Sequence, residues 1–352
     1  MQVAVVAMET SHFRKTAGRE RLERVAAGLA DAGHDVTVFC SRWWEDDSPR
    51  FTPESVTYRA VTDAPAGPSF WLRLPWLLAW WRPDLVYAIP EPPTVLRAAR
   101  VGATLARAPL VAEWFGDERL PEGRMTRSAI RAPECLVTPS ELVRTRLRER
   151  GAADDRTTVL PESIDMDLVR DVEPDDEVDV VYAHQLDESA NINALFLGLA
   201  ELRQKDWSAT VVGDGPEREA YEQEAADLRI DDRVEFVGAC DRERRVSIYK
   251  GAHVFVQTAF REYFATELLW AMACGCLGIV EYQAESSAHE LIEHHDRTFR
   301  VTTPQEIADR IVASADYERK HVDESWAQYD HDAVREEYEA LFDRLVDGYG
   351  LF

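Results

Sequence analysis

The stretch 261–282 reads REYFATELLWAMACGCLGIVEY and holds the first residues whose types could do chemistry. A loop carrying Glu262 leads into an apolar helix over 265–273, Cys274-Gly275 stop it, and a buried strand follows over 277–280. Eight residues after Glu262 stands Trp270. An indole cannot accept a hydrogen bond from a hydroxyl, because its only polar group is a donor. It can stack on a ring or fill core. Elsewhere, Gly213-Asp-Gly215-Pro-Glu follows a strand, and taken alone is mainly turn chemistry. Asp165-Met166-Asp167 has the form of a metal motif, but it sits in a plain crossover, and no metal is expected. His294-His295 read as a solvated helix end with no ligand partner at metal spacing.

The elements that must position these residues form two series. In the first, a strand over 2–7, a polar loop (METSHFRKTAG) and a helix over 19–32 are followed by the strand VTVFC. Further strands are expected over 84–89, 108–114, 134–140 and 157–161, alternating with helices as in a doubly wound parallel sheet. The acidic stretch 162–178 reads as a linker. The second series places strands at 179–184, 208–213, 234–238, 253–257, 277–282 and 298–301. The expectation is α/β: domain one over 1–165, domain two over 166–324, and a C-terminal helix, about 325–352, packing back on the first. Ligands are then expected beyond the strand C-termini, in a cleft between two facing Rossmann-like domains.

Composition narrows the class. At 45% hydrophobic and 10% aromatic the chain is globular. It lacks an apolar run of eighteen or more residues, so no spanning helix is expected, and its start, MQVAVVAMETSHF, reads as a strand and not as a signal peptide. Five scattered cysteines suggest a reduced, cytoplasmic chain. The net charge of −25, with only Lys15, Lys205, Lys250 and Lys320 as lysines, suits a cytoplasm of very high salt and opposes duplex binding; no nucleic-acid partner is expected. Residues 1–165 hold 22 basic and 23 acidic side chains, whereas 166–352 hold 18 and 42. The first half thus keeps arginines that either face something anionic, such as a lipid headgroup, or pair with local acids. SFWLRLPWLLAWWR (69–82) carries four tryptophans; because Pro75 interrupts it, it is read as core and not as an interfacial helix.

The order of the signals resembles the retaining glycosyltransferases of GT-B fold, family 4, over nearly the whole chain. GDGPEREAYEQEAADLRIDDRVEFVG, then AHVFVQTAFRE, then AMACGCLGIV carry the resemblance in the second half. Ala17-Gly18 ahead of a helix, AGHDVTVF, RPDLVYA and TVLPESID carry it in the first. The resemblance implies a nucleotide-diphospho-sugar on the second domain and a lipid-linked or glycan acceptor on the first, with no metal or other cofactor. It implies that Glu262 touches the donor sugar, that the backbone at Phe264, Ala265 and Thr266 meets phosphates or hydroxyls, and that Gly18 lets its loop approach the diphosphate. Gly213 and Gly215 belong to the same donor site.

Four expected polar positions are changed. The second carboxylate is Trp270, the arginine position falls on His184, the lysine position near Ser189, and a pocket histidine on Phe115, beside Glu113 and Asp117. Each charge-assisted contact is worth about 1.5–3 kcal/mol, so two lost without replacement would weaken diphosphate binding by orders of magnitude. Arg14, Lys15 and a protonated His184 are candidate replacements. Two readings stay open: a modified hexosyltransferase in the cytoplasm, with peripheral contact at the inner face of the membrane, or a degenerate relative serving as a glycan binder or partner subunit.

Overall fold

The computed structural model describes residues 1–118 and 123–349. They form two compact units, Met1–Glu162 with Asp332–Phe352, and Ser163–His331. The first unit therefore gives way to the second after Glu162 and not after 165.

Unit 1 is built on β1 (Gln2–Val6), β2 (Asp35–Ser41), β3 (Arg50–Phe51), β4 (Thr57–Thr62), β5 (Leu85–Ala88), β6 (Leu110–Glu113), β7 (Cys135–Thr138) and β8 (Thr157–Val159). They lie in the order β3-β4-β2-β1-β5-β6-β7-β8, parallel except for the short edge strand β3. The order reverses between β1 and β5, which defines the switch point where ligands collect at strand C-termini. Helices α1 (Ala17–Asp31), α2 (Gly67–Trp81), α3 (Pro93–Ala106), α4 (Arg124–Ile130) and α5 (Glu141–Glu149) connect the strands. The start of α1 is fixed by Thr16, whose hydroxyl accepts from the Arg19 N–H at 3.4 Å. Gly33, at φ +92°, turns the chain out of it toward β2.

Helix α2 departs from the sequence reading. Pro75 lies inside it without breaking it. Phe70, Leu74 and Leu78, four residues apart, are buried, while Leu72, Trp76 and Trp80 on another face are 74%, 72% and 69% exposed. The tryptophan segment is therefore core on one side only. Pro75 and Leu78 press against α3 at Gly102, where a β-carbon would stand 2.6 Å from Leu78 Cδ1 and 3.1 Å from Pro75 Cα. A helix this apolar all round needs a second apolar environment for the face the protein leaves open.

Unit 2 contains α6 (Met166–Asp171), β9 (Val178–Ala183), α7 (Ile192–Glu201), β10 (Ala209–Val212), α8 (Arg218–Asp227), β11 (Val234–Gly238), α9 (Arg242–Gly251) and β12 (Ala252–Gln257). It continues through β13 (Arg261–Glu262), α10 (Thr266–Ala273), β14 (Leu277–Glu281), β15 (Glu285–Ser286), α11 (Ala288–Ile292), β16 (Thr298–Val301) and α12 (Pro304–Ala313). The main sheet runs β11-β10-β9-β12-β14-β16, all parallel, the 3-2-1-4-5-6 order of a dinucleotide-binding sheet. Its switch point lies between β9 and β12. The stretch expected to be a linker contains α6: Asp165 accepts from the Leu168 N–H at 2.8 Å as its N-cap, and Asp167 pairs with Arg170 at 2.7 Å.

The last helix, α13 (His331–Tyr349), supplies Val334, Tyr338, Leu341 and Phe342 to the unit 1 core. Tyr338 also closes a buried polar cluster. Its hydroxyl donates to Glu113 Oε2 at 2.7 Å and accepts from Arg21 Nη2 at 2.6 Å, while Tyr87 donates to the same carboxylate. Arg21 pairs with Glu113 at 3.1 Å and donates to the Leu160 and Pro161 carbonyls. Burial opposes the Arg21 charge, but Glu113, Tyr338, Glu162 and Tyr87 together outweigh it and hold the guanidinium protonated.

Candidate functional site

In unit 2, β9 ends by delivering His184 and β12 ends at Gln257, five residues before Glu262. His184 and Glu262 thus meet at the switch point. His184 Nε2 lies 3.3 Å from Glu262 Oε1, with the two side chains 14% and 21% exposed. His184 Nδ1 lies 2.6 Å from the Gln185 carbonyl. A carbonyl and a carboxylate only accept, so satisfying both contacts requires both ring nitrogens to carry protons. Protonated on both nitrogens, the ring satisfies both contacts. Burial works against that charge, but hydrogen bonding to Glu262 and the charges of Glu262 and Asp187 prevail, so the His184 pKa is raised. Glu262 also accepts from Gln257 Nε2 at 3.0 Å, and its backbone carbonyl accepts from Ser287 N at 2.9 Å. Gln257 Oε1 and Ser287 Oγ, both buried, have no hydrogen-bond partner among the described residues. Sequence reasoning missed these two; a buried glutamine ending a strand is the only signal they leave.

Beside Glu262, α10 begins at Thr266 with Ala265 as an N-cap that has no side-chain cap. Phe264 and Ala265 are buried, and the Thr266 N–H donates to the Phe264 carbonyl at 3.0 Å. The uncapped terminus leaves backbone donors and the positive end of the helix for an anion. The glycines hold the His184 loop. Gly213, at φ +129°, donates its N–H to the Gly238 carbonyl, and a β-carbon there would fall 1.9 Å from the His184 carbonyl oxygen. One on Gly215 would fall 2.2 Å from the Leu186 carbonyl oxygen. The Gly-Asp-Gly turn therefore carries the backbone of the His184 segment. Ser189, at the expected lysine position, donates its N–H and hydroxyl to Asp187 at 2.8 and 2.6 Å.

Trp270 is 5% exposed, and the Arg242 guanidinium covers its ring at 4.7 Å from the centroid. Glu267, the nearest alternative carboxylate, is held elsewhere. It pairs with Arg242 at 2.9 Å and Arg245 at 2.7 Å and accepts from the Tyr249 hydroxyl at 2.5 Å. Burial would raise its pKa, yet the two guanidiniums lower it. The register of the segment is thus fixed with Trp270 eight residues after Glu262.

In unit 1, the switch point is a cavity of about 520 Å³ below the ends of β1 and β5. Arg14 faces Glu91 at 3.2 Å; Arg19 pairs with Glu9 and Glu91, both at 2.8 Å. Lys15 is exposed. The Gly18 N–H donates to Asp117 Oδ2 at 3.2 Å, and a β-carbon on Gly18 would lie 3.0 Å from both Asp117 Oδ1 and Phe115 Cβ. What Gly18 admits within this unit is the Phe115–Asp117 loop. Burial raises the Asp117 pKa, partly offset by the Gly18 N–H. His295, read as solvated, instead stacks on Trp326 at 3.8 Å.

Two family models match consecutive parts of the chain: Glycosyltransferase Family 4 over residues 20–168 and Glycosyl transferases group 1 over 167–322. No curated protein is significantly similar in sequence. Solved structures share the fold. A glycosyltransferase from Rickettsia africae has a TM-score of 0.78 at 14% identity, covering 98% of each chain. Anabaena Alr3699/HepE, solved with UDP, has a TM-score of 0.73 at 18% identity over 98% of this chain and 100% of its own. The lipopolysaccharide outer core galactosyltransferase WaaB has 0.72 at 17% identity, over 98% and 100%. Parallel-sheet units in the expected order, matched in turn by the two models, place the chain in a class of two-domain sugar transferases. It belongs to the family 4 (group 1) glycosyltransferases of GT-B fold.

Proposed function

We propose that the protein is an active, retaining hexosyltransferase whose donor, a nucleotide-diphospho-sugar, binds at the unit 2 switch point. The observation that carries this reading is the His184–Glu262 pair, 3.3 Å apart at the strand C-termini. In the proposed reaction the bond between the sugar C1 and the diphosphate breaks. The acceptor hydroxyl oxygen bonds to C1 on the same face, and its proton leaves on the departing phosphate oxygen. Negative charge grows on the leaving group, and the His184 imidazolium with the uncapped start of α10 would stabilise it. Glu262, fixed by Gln257 and His184, would orient the sugar hydroxyls. The unpartnered Gln257 Oε1 and Ser287 Oγ are further polar groups for the donor.

A second reading is favoured by one specific observation. Trp270 is closed over by Arg242, so no group at its position receives a ribose, as in a transferase turned glycan binder or partner subunit. A thermal-shift panel separates them: UDP-, GDP-, ADP- and dTDP-sugars in molar KCl, followed by a transfer assay with the donor that binds. UDP-glucose comes first, because it is the ligand of an Anabaena HepE complex. At a hundred times Kd a donor adds about 2.7 kcal/mol to stability. Binding by one donor, with transfer abolished in Glu262→Ala, supports the enzyme; no shift from any donor at millimolar concentration overturns it. We place the acidic chain in a high-salt cytoplasm, working at the inner face of the membrane. No helix among the described residues is long and apolar enough to cross one.

A further inference from the structure

We propose that the face of unit 1 formed by α2, α3 and α4 lies on a bilayer with anionic headgroups, its tryptophans in the interface and its arginines on the lipid phosphates. The proposal gives the membrane contact of the transferase reading a surface. It rests on unit 1 alone, and it fails or holds independently of donor binding at unit 2.

The charge of this face is unlike that of the chain. Acidic residues outnumber basic ones overall, 65 to 40, yet α2, α3 and α4 contain no Asp or Glu. They carry Arg73, Arg97, Arg100, Arg124 and Arg127. Arg100 is neutralised by Glu134. The other four are exposed and have no carboxylate partner among the described residues. Alongside, β3 and β4 set Arg50 directly opposite Arg59, and Arg59 covers the Trp80 ring at 5.0 Å from its centroid. Like charges opposed across a sheet repel, and an anion between them offsets the repulsion.

The apolar part is continuous. Leu72 and Trp76 of α2 and Val101 and Leu105 of α3, all more than half exposed, line one groove shared by the two helices. Trp80, one turn beyond Trp76, extends it. Indoles and aliphatic side chains with arginines among them are what a helix lying in a bilayer interface presents. A free phosphate would leave the tryptophans without a role, and a second copy of the chain would bring arginine against arginine. The net charge does not forbid the contact. At about 0.15 M salt a charge acts over only about 8 Å, so the bilayer senses the helices laid on it and not the whole −25.

The test floats the full chain with vesicles of phosphatidylcholine, alone or in equal parts with phosphatidylglycerol, at about 0.15 M and about 1 M KCl. At the lower salt the protein should favour the anionic vesicles. One arginine near an anionic surface is worth about fivefold, so Arg73→Glu and Arg97→Glu should each cut that preference about tenfold or more. At the higher salt the preference should vanish while binding to both vesicles remains, because apolar insertion is not screened. Trp76→Ser combined with Trp80→Ser should weaken binding to both vesicles about tenfold or more at either salt. Both side chains are mostly exposed, so the variant should fold, with an unchanged thermal midpoint as the check. Leu197→Ser, at an open apolar position of unit 2, should leave flotation unchanged. Failure to float with either vesicle, or full flotation of the tryptophan variant, overturns the proposal. So does a concentration-dependent dimer, seen by sedimentation without lipid and lost in the tryptophan variant, because the face would then belong to a second copy of the chain.

Discussion

Replacing His184 by alanine isolates the charge of the imidazolium. In the wild type the ring makes two contacts, to Glu262 at 3.3 Å and to the Gln185 carbonyl at 2.6 Å, and the first is an ion pair when the ring is protonated. A hydrogen bond to a charged group is worth about 1.5–3 kcal/mol, and at 14% exposure the ring is only lightly screened. The variant should therefore lower the stability of unit 2 by about 1.5–3 kcal/mol near pH 6, roughly a tenfold to hundredfold change in its opening equilibrium. The pH dependence follows from the raised pKa. A histidine held more basic in the folded protein contributes stability that is full below its unfolded pKa, near 6.5, and fades as pH rises through the folded value. Above that value the neutral ring points a lone pair at the Glu262 carboxylate, and the cost of removing it should shrink. Hydrogen exchange read by mass spectrometry on peptides covering β9 and β12 reports unit 2 alone, whereas one global midpoint would mix two units. Comparing variant and wild type at the same pH cancels the intrinsic exchange rate. A protection loss equal at pH 6 and pH 9, or larger at pH 9, would show that the ring is neutral and that no cation stands at this switch point.

Two further outcomes are expected. Glu267→Gln leaves Arg242 and Arg245 facing an amide and should cost unit 2 about 3 kcal/mol at neutral pH, by the same exchange measurement. Because the Glu267 pKa is lowered, its contribution is present above the ordinary carboxylate range and is lost as pH falls through the folded value, so wild type and variant should converge under acid conditions. Gly213→Ala places a β-carbon 1.9 Å from the His184 carbonyl oxygen at φ +129°; strain of about 1–3 kcal/mol should displace the loop. Its thermal shift with the donor that stabilises the wild type should disappear. A variant that kept the full shift would free the turn from any part in holding His184.

Much of the architecture was legible because parallel sheets bury their strands on both faces and so write them as apolar runs. VAVV, VTVF, LVYA and HVFV are read directly, and their spacing gives two doubly wound units. Strands β3 and β4 escaped, since one has two residues and the other carries Arg59 in the middle of TYRAVT. Helix α2 misled for a physical reason: Pro75 removes one backbone donor, but Gly102 on the neighbouring helix lets the Pro75 backbone and Leu78 pack closely, and that packing holds the helix. That compensation depends on a residue twenty-seven positions away. The site divides along the same line. Glu262, His184 and Gly213 were named through the family resemblance, and the structure gathers them. Arg242 over Trp270 and Glu267 beneath two arginines depend on α9, whose register against α10 no local pattern encodes.

The place of Tyr338 has a consequence for the order in which the molecule is made. Unit 1 begins at Met1, yet its buried Arg21–Glu113 pair is completed by a hydroxyl from α13, and Phe342 fills the same core. Between Glu162 and Asp332 the ribosome must synthesise the whole of unit 2, at roughly 5–20 residues per second. Through that interval the first sheet carries an apolar surface and an ion pair still lacking their cover, while unit 2, continuous in sequence, holds every strand it needs. The part translated first is thus the part finished last, and a nascent chain stalled before α13 should expose the β1–β5 side of unit 1 to chaperones and proteases.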